Sequence, residues 1–279
     1  MNWPAESNSQ SREIFYRLAP GRLDGALSLA ILAAHPDDET LGASYLLAHL
    51  PETRVIYLTD GAPRDRRLWS PLVQGSRSDY ARLRRAEAEK ALAHAGISGQ
   101  RIACLGGVDQ EAIFDARRLT WQLVDRLEAC RVDALLTHAY EGGHPDHDAA
   151  ALIASLALSR LAEEKRPRLL EMTSYHARGG RCVSGEFLDP DTAGEIPFQL
   201  SEEDHKRKRE MLDEYGSQQL VLANFPLEAE RIRRAPAYDF SLPPHAGTLW
   251  YESMAWLEGG RWREQALGAL REAEERACR

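Results

Sequence analysis

Apolar residues run almost unbroken from Ala26 to Ala34 (ALSLAILAA) and again from Thr53 to Leu58 (TRVIYL), the pattern of short strands buried on both faces. Between them, Thr40 to Leu50 has helical spacing, and Ser78 to Ala95 is an Ala/Arg/Glu/Leu-rich helix that Gly96 would end. Strands at Arg101 to Leu105 and Val132 to Thr137 then enclose a helix near Arg117 to Cys130. A helix at Ala149 to Glu164 and a strand at Leu169 to His176 follow. This alternation predicts an α/β fold: a Rossmann-like, mostly parallel sheet with helices on both faces.

The flanks differ in character. Residues 1–25 are polar, with Pro4 and Pro20, and are expected to form an N-terminal arm lying on the domain rather than in its core. Residues 26–200 make the α/β domain, within which the Gly, Pro, Asp and Ser of Gly179 to Pro197 suggest a long loop bordering a pocket. Residues 201–279 form a C-terminal extension packed on that domain: a charged helix over 201–219, an irregular Pro-rich stretch, a short strand at Thr248 to Ser253 and a final Ala/Glu/Arg helix.

A net charge of -8 argues against a general affinity for nucleic acid or acidic membranes and favours a small-molecule partner. No stretch approaches the roughly 18 apolar residues of a membrane span, and the N-terminus lacks a basic start followed by an apolar run; a cytoplasmic location is expected. Cys104, Cys130, Cys182 and Cys278 are far apart, form no C-x-x-C pair, and read as reduced thiols. A homo-oligomer is compatible with all of this.

Two clusters carry chemistry. His35-Pro36-Asp37-Asp38-Glu39 directly follows the first buried strand, and His144-Pro145-Asp146-His147 follows the strand at 132–137 and a Glu141-Gly142-Gly143 turn, with a helix starting at about Asp148. Ligands of parallel α/β sheets bind at the carboxyl ends of strands, so the two loops can meet at one sheet edge. Catalytic zinc takes three His or carboxylate ligands and keeps one position open; His35, Asp38 and His147 supply such a set. Amide hydrolysis then needs a nearby base and acid, for which Asp37 and His144 are candidates. Taken singly, Asp37 or Asp38 could be a helix N-cap and His144 a turn residue. Two H-P-D-[DH] clusters, each after a strand, in a chain with nine histidines, favour a metal site over that reading.

At these residues the chain resembles the PIG-L/LmbE-like N-deacetylase family. A-H-P-D-D-E at Ala34 to Glu39 and G-H-P-D-H at Gly143 to His147 look like its two defining motifs, in the same order and at a similar separation. Thr59-Asp60-Gly61, the Arg84, Glu87, Ala91 helix pattern closed by Gly96, and a weaker match at Lys208 to Gln218 extend the resemblance over roughly residues 27–220. The resemblance implies a zinc-dependent N-deacetylase acting on an N-acetylated, sugar-like small molecule, with one Zn²⁺ per chain held by His35, Asp38 and His147. By position it makes Asp37 the base, His144 the oxyanion stabiliser and acid, and Asp146 the group that orients one of its two flanking histidines.

Arg84 and Asp109 match positions that contact substrate in the family, and either could instead be an ordinary ion-pair partner. Seven arginines between Arg64 and Arg85 could form an anion-binding rim or a solvated helix face. Some sugar-deacetylating relatives carry a tyrosine two residues before the catalytic histidine; here Gly142 stands there, and Tyr140 lies further back. His94 and His205 read as capping or surface residues, His138, His176 and His245 sit near expected strand ends or loops where that reading is weaker for His138 and His176, and Trp250 and Tyr251 read as a packed pair that could stack on a sugar. Competing readings are an amidase on a thiol-sugar conjugate, a two-metal phosphoesterase and a non-catalytic sugar-binding protein.

Overall fold

A computed structural model describes residues 13–14, 16–18, 22–190 and 194–277. A seven-stranded sheet runs in the order β3-β2-β1-β4-β5-β9-β8. Its parallel part comprises β1 (Leu29–Ala33), β2 (Arg54–Thr59), β3 (Ile102–Gly107), β4 (Ala134–His138) and β5 (Arg168–Met172). β9 (Ala229–Arg234) and β8 (Glu195–Gln199) extend it antiparallel, and β6 (Tyr175–Arg178) pairs with β7 (Arg181–Ser184) in a separate hairpin.

Period-two alternation splits the core into two layers. Leu29, Ile31 and Ala33 of β1 face Leu46 and Leu47 of α1 (Asp38–His49), Ala88, Ala91 and Leu92 of α2 (Arg77–His94), and Met211 and Leu212 of α5 (Glu202–Asp213). Ala30 and Leu32 face Leu119 and Leu123 of α3 (Ala116–Ala129), Ala150 to Leu158 of α4 (Pro145–Arg160), and Trp262 and Ala266 of the terminal helix, Gly259–Ala277. Helices α2 and α5 start at reciprocal capping boxes, Ser76 with Asp79 and Ser201 with Asp204.

β1 and β4 are neighbours, but the next strand after β1 is β2 on one side and the next after β4 is β5 on the other. The loops leaving their carboxyl ends therefore diverge and open a crevice, the switch point of a doubly wound sheet.

The structure corrects several expectations. The strand expected over Leu169 to His176 is two: Thr173 N still donates to Arg231 O of β9 (3.1 Å), but Ser174 O accepts from Gly185 N (2.9 Å) and the chain turns into the β6–β7 hairpin. The expected loop at Gly179 to Pro197 contains β7 and the start of β8; Pro197 is tolerated because β8 is an edge strand. Thr248 to Ser253 is not a strand: Trp250–Ser253 is one helical turn, with Glu252 accepting from Leu249 N at its start. β9 arises in the stretch read as irregular. Within the expected arm, Leu18 is fully buried in the first core layer, whereas residues 1–12 lie outside the described ones. No helix among the described residues is long and apolar enough to cross a membrane.

Candidate active site

Asp37 occupies the position before α1 with φ of 136°, and its side chain makes no cap bond, so the capping explanation for this residue does not hold. The left-handed backbone costs a non-glycine residue of order 1–3 kcal/mol and persists because the neighbours fix it. Asp37 N donates to Glu39 (3.1 Å), and Glu39, fully buried, accepts from Tyr215 OH at 2.5 Å. Arg84 of α2, 2% exposed, donates from Nη2 to Pro36 O (2.6 Å) and Asp37 Oδ2 (3.2 Å). Arg84 thus lies beneath Asp37, packed against Gly61, whose φ of 64° and lack of a Cβ admit the guanidinium.

The second loop is set by a helix N-terminus. α4 begins at Pro145, three residues before the expected start, with proline at its first position and His144 as the cap: His144 Nδ1 accepts from Asp146 N at 3.1 Å. His147 therefore sits in the first turn. Gly143 is obligatory here, since a Cβ would lie 1.8 Å from the Tyr175 carbonyl oxygen. Trp262 Nε1 donates to Pro145 O (3.0 Å), tying the terminal helix to the loop.

His35, Asp37, Asp38, His144, Asp146 and His147 come together, all 8% exposed or less. His35 Nδ1 is 3.2 Å from Asp38 Oδ2, and His147 Nε2 is 3.2 Å from Asp38 Oδ1. The other nitrogen of each imidazole is engaged: His35 Nε2 lies 3.2 Å from Asp146 and 3.3 Å from Asp109, and His147 Nδ1 lies 3.1 Å from Ser174 Oγ. Asp146 thus pairs with His35, not with either flanking histidine as expected; its oxygens also accept from Gln110 N (2.7 Å) and Ala112 N (3.0 Å). Asp109 joins the site, and Arg84 reaches it only through Asp37.

Three donor trios are compact enough for one ion: His35, His144 and His147; Asp38, His138 and His147; and His35, Asp109 and Asp146. The expected trio His35, Asp38, His147 is not among them; in it Asp38 turns Oδ2 to His35 and Oδ1 to His147. Its donor types and the hydrogen-bonded outer nitrogens nevertheless fit a catalytic zinc site.

Electrostatics separate the carboxylates. Burial raises Asp37 to about 7, Arg84 opposing and Asp38 reinforcing the shift. Asp38 is held well below the usual range: burial works against its charge, but His147 and His138 outweigh it. Burial likewise opposes charge on His35, yet Asp109, Asp146 and Asp38 hold its pKa well above that of a free imidazole. Burial, then the charges of His35 and His147, push His144 well down, so its ring is neutral.

The sequence reading missed four neighbours. His138 stacks on His147 (centroids 4.0 Å) and is lowered to about 4 by burial and His147. Ser174 and Gln110 contact His147 and His144, and Trp256 lies against His144. Only His138, as a histidine at a strand end, carried a visible signal. Tyr140 turns away, its hydroxyl donating to Leu242 O (2.9 Å). Of the seven arginines, Arg64, Arg67, Arg77, Arg82, Arg84 and Arg85 pair with nearby carboxylates, and Arg66 bonds Gly75 O, which favours a structural reading of that segment.

Residues 30–158 match the PIG-L family, described as GlcNAc-PI de-N-acetylase. No curated protein sequence matches the chain. Among solved structures, a deacetylase of teicoplanin biosynthesis is similar, with a TM-score of 0.56 at 16% identity over 76% of this chain and 100% of that one. The A40926 pseudoaglycone deacetylase Dbv21 gives 0.53 at 19% over 77% and 100%. The N,N'-diacetylchitobiose deacetylase of Pyrococcus horikoshii gives 0.50 at 17% over 83% and 95%.

Proposed function

Because residues 30–158 form a PIG-L family domain on a deacetylase-type fold, we propose that the protein is a zinc-dependent hydrolase that removes an N-acyl group, in the first place acetyl, from an amino-sugar-like small molecule. The observation that carries this reading is the convergence of His35 Nδ1 and His147 Nε2 on Asp38, each with its outer nitrogen hydrogen-bonded, beside a buried carboxyl raised to about 7. His35, Asp38 and His147 would hold one zinc ion. When bound, it supplies Lewis-acid polarisation of the amide carbonyl and lowers the pKa of the attacking water.

The residues supply the rest. Asp37 takes a proton from water as the oxygen adds to the amide carbon, a transfer matched to a base with pKa near the working pH. His144 Nδ1 accepts from Asp146 N, so the proton of the neutral ring is on Nε2, an N–H donor for the oxyanion. When the tetrahedral centre collapses and the C–N bond breaks, Asp37 passes its proton to the departing amine. Neutral His144 is suited to donating a hydrogen bond through these steps rather than to being the resting store of that proton. Asp146 orients His35. The small cavity beside Asp38, lined by Leu41, Phe225 and Pro226 on one hand and by His138, Thr173 and Ser174 on the other, has room for no more than a short acyl group.

The test is metal content of the purified protein together with amine release from N-acetylated sugars, with and without chelator. One zinc per chain and chelator-sensitive amine release are expected. Failure to take up zinc when it is supplied would overturn the proposal.

A further inference from the structure

The segment after β9 returns to the site from outside the matched domain. Trp250 N donates to Gly142 O at 2.8 Å, and a Cβ on Gly142 would lie 2.7 Å from Leu249 Cδ2, so this segment is seated on the loop that carries His144. Glu252 ties it at both ends, accepting from Leu249 N (2.9 Å) and Gly259 N (2.8 Å). Ala255 then reverses the chain in the left-handed region, φ 54°, a conformation that an L residue keeps only where its surroundings impose it. The turn delivers Trp256 to the site: its ring lies 5.1 Å from that of His144 at 53°, while its backbone N–H donates to Tyr251 O at 3.0 Å.

Of the three aromatic residues of this segment, Trp250 and Trp256 are both half-buried, and of these two it is Trp256 whose ring meets that of His144. Tyr251 is completely buried and is part of the packing, so it cannot meet a ligand. Trp256 is half-buried, with one side toward His144 and another part open. A large indole held half-exposed by a strained turn beside the oxyanion donor is a rigid amphipathic surface, suited to the C–H face of a pyranose.

Resting on the hydrolase reading above, we infer that Trp256 is the platform for the sugar ring of an N-acetylated amino sugar, on the amine side of the scissile bond. The Trp256 ring stands beside that of His144, which in turn lies 5.2 Å from the ring of His147, so a sugar seated on the indole has its acylamino group within reach of the metal-site residues. The acyl side lies toward Asp38, Phe225 and Pro226.

The test needs a readout apart from turnover. The zinc-loaded protein labelled with 5-fluorotryptophan has six tryptophans to observe by ¹⁹F NMR, and Trp256→Phe assigns the resonance of interest. Titration with N-acetylglucosamine is expected to shift the Trp256 resonance saturably, and the acyclic amide N-acetylethanolamine to leave it in place. In kinetics, Trp256→Ala is expected to raise KM for N-acetylglucosamine about tenfold with a much smaller effect on kcat, Trp256→Phe falling between. A resonance unmoved by the sugar, or a loss confined to kcat, would overturn the inference by reducing Trp256 to a packing support for His144. A sugar-dependent shift in a protein that cleaves no amide would keep the platform and refute the hydrolase.

Discussion

Arg84 Nη2 stands 3.2 Å from Asp37 Oδ2, and both side chains are almost completely buried. The guanidinium is the main influence lowering an Asp37 pKa that burial raises to about 7. A base acts deprotonated, so kcat/KM is expected to rise with pH through an acid limb set by Asp37. In Arg84→Met the lowering influence is gone, the Asp37 pKa rises, and the limb moves to higher pH; activity at pH 6 falls by about tenfold. A pH profile of both proteins checks this. An unmoved limb would show that another group sets it.

Ser174 Oγ, 3.1 Å from His147 Nδ1, fixes which nitrogen of that imidazole faces Asp38. Loss of such an outer partner weakens metal binding by about 10–100-fold. Ser174→Ala is therefore expected to lower zinc affinity by that factor, measured by competition with a chromophoric chelator, and to regain activity when zinc is added in excess. Asp37→Asn is expected to keep its zinc and lose turnover, because its carboxylate is not needed to hold the ion. Equal zinc loss in both variants would contradict this division of roles.

The parallel half of the sheet was legible because β1, β2 and β4 are buried on both faces and spell this out as continuous apolar runs. The two histidine-aspartate loops follow such runs directly, so their meeting at one edge could be anticipated. β9 escaped notice because Ala229–Arg234 (AERIRR) reads as polar, yet Glu230 and Arg233 are buried in charge pairs with Lys208 and Glu171. Ser174 and Gln110 were invisible for another reason: a single serine or glutamine carries no pattern, and their partners are 27 and 34 residues away. Asp146 shows the same limit, since its place between His144 and His147 pointed to one of those two imidazoles, whereas its partner is His35, 111 residues away.

Arg233 donates to Glu171 at 3.0 Å from Nε, deep between β5 and β9, and also lies 3.7 Å from Glu141 of the site loop. Removing one partner of a buried pair strands the other charge, which costs about 3–5 kcal/mol. Arg233→Met is expected to lower unfolding free energy by that amount in urea titrations. Combining it with Glu171→Leu should recover much of the loss, because the stranded charge goes with it. A double variant as unstable as the single would mean that Arg233 acts mainly through Glu141.

Gln110 combines strain with a contact to the proposed oxyanion donor. Its φ is 72°, its N–H donates to Asp146, and its carboxamide nitrogen stands 2.8 Å from His144 Nε2 while Oε1 has no partner among the described residues. Since Nδ1 of His144 accepts from Asp146 N, Nε2 carries the proton, and the carboxamide turned end for end presents Oε1 to it. Gln110→Gly keeps the backbone bond, relieves the left-handed strain and deletes the contact with His144. Stability is expected to rise by about 1 kcal/mol, and Tm by about 2–4 °C, while kcat falls about tenfold from looser orientation of the imidazole. Gln110→Glu, which retains an acceptor for the Nε2 proton, should recover part of kcat without the gain in Tm. If Gln110→Gly leaves kcat intact, His144 is held well enough by its helix-cap bond alone, and the glutamine is only a strained turn residue.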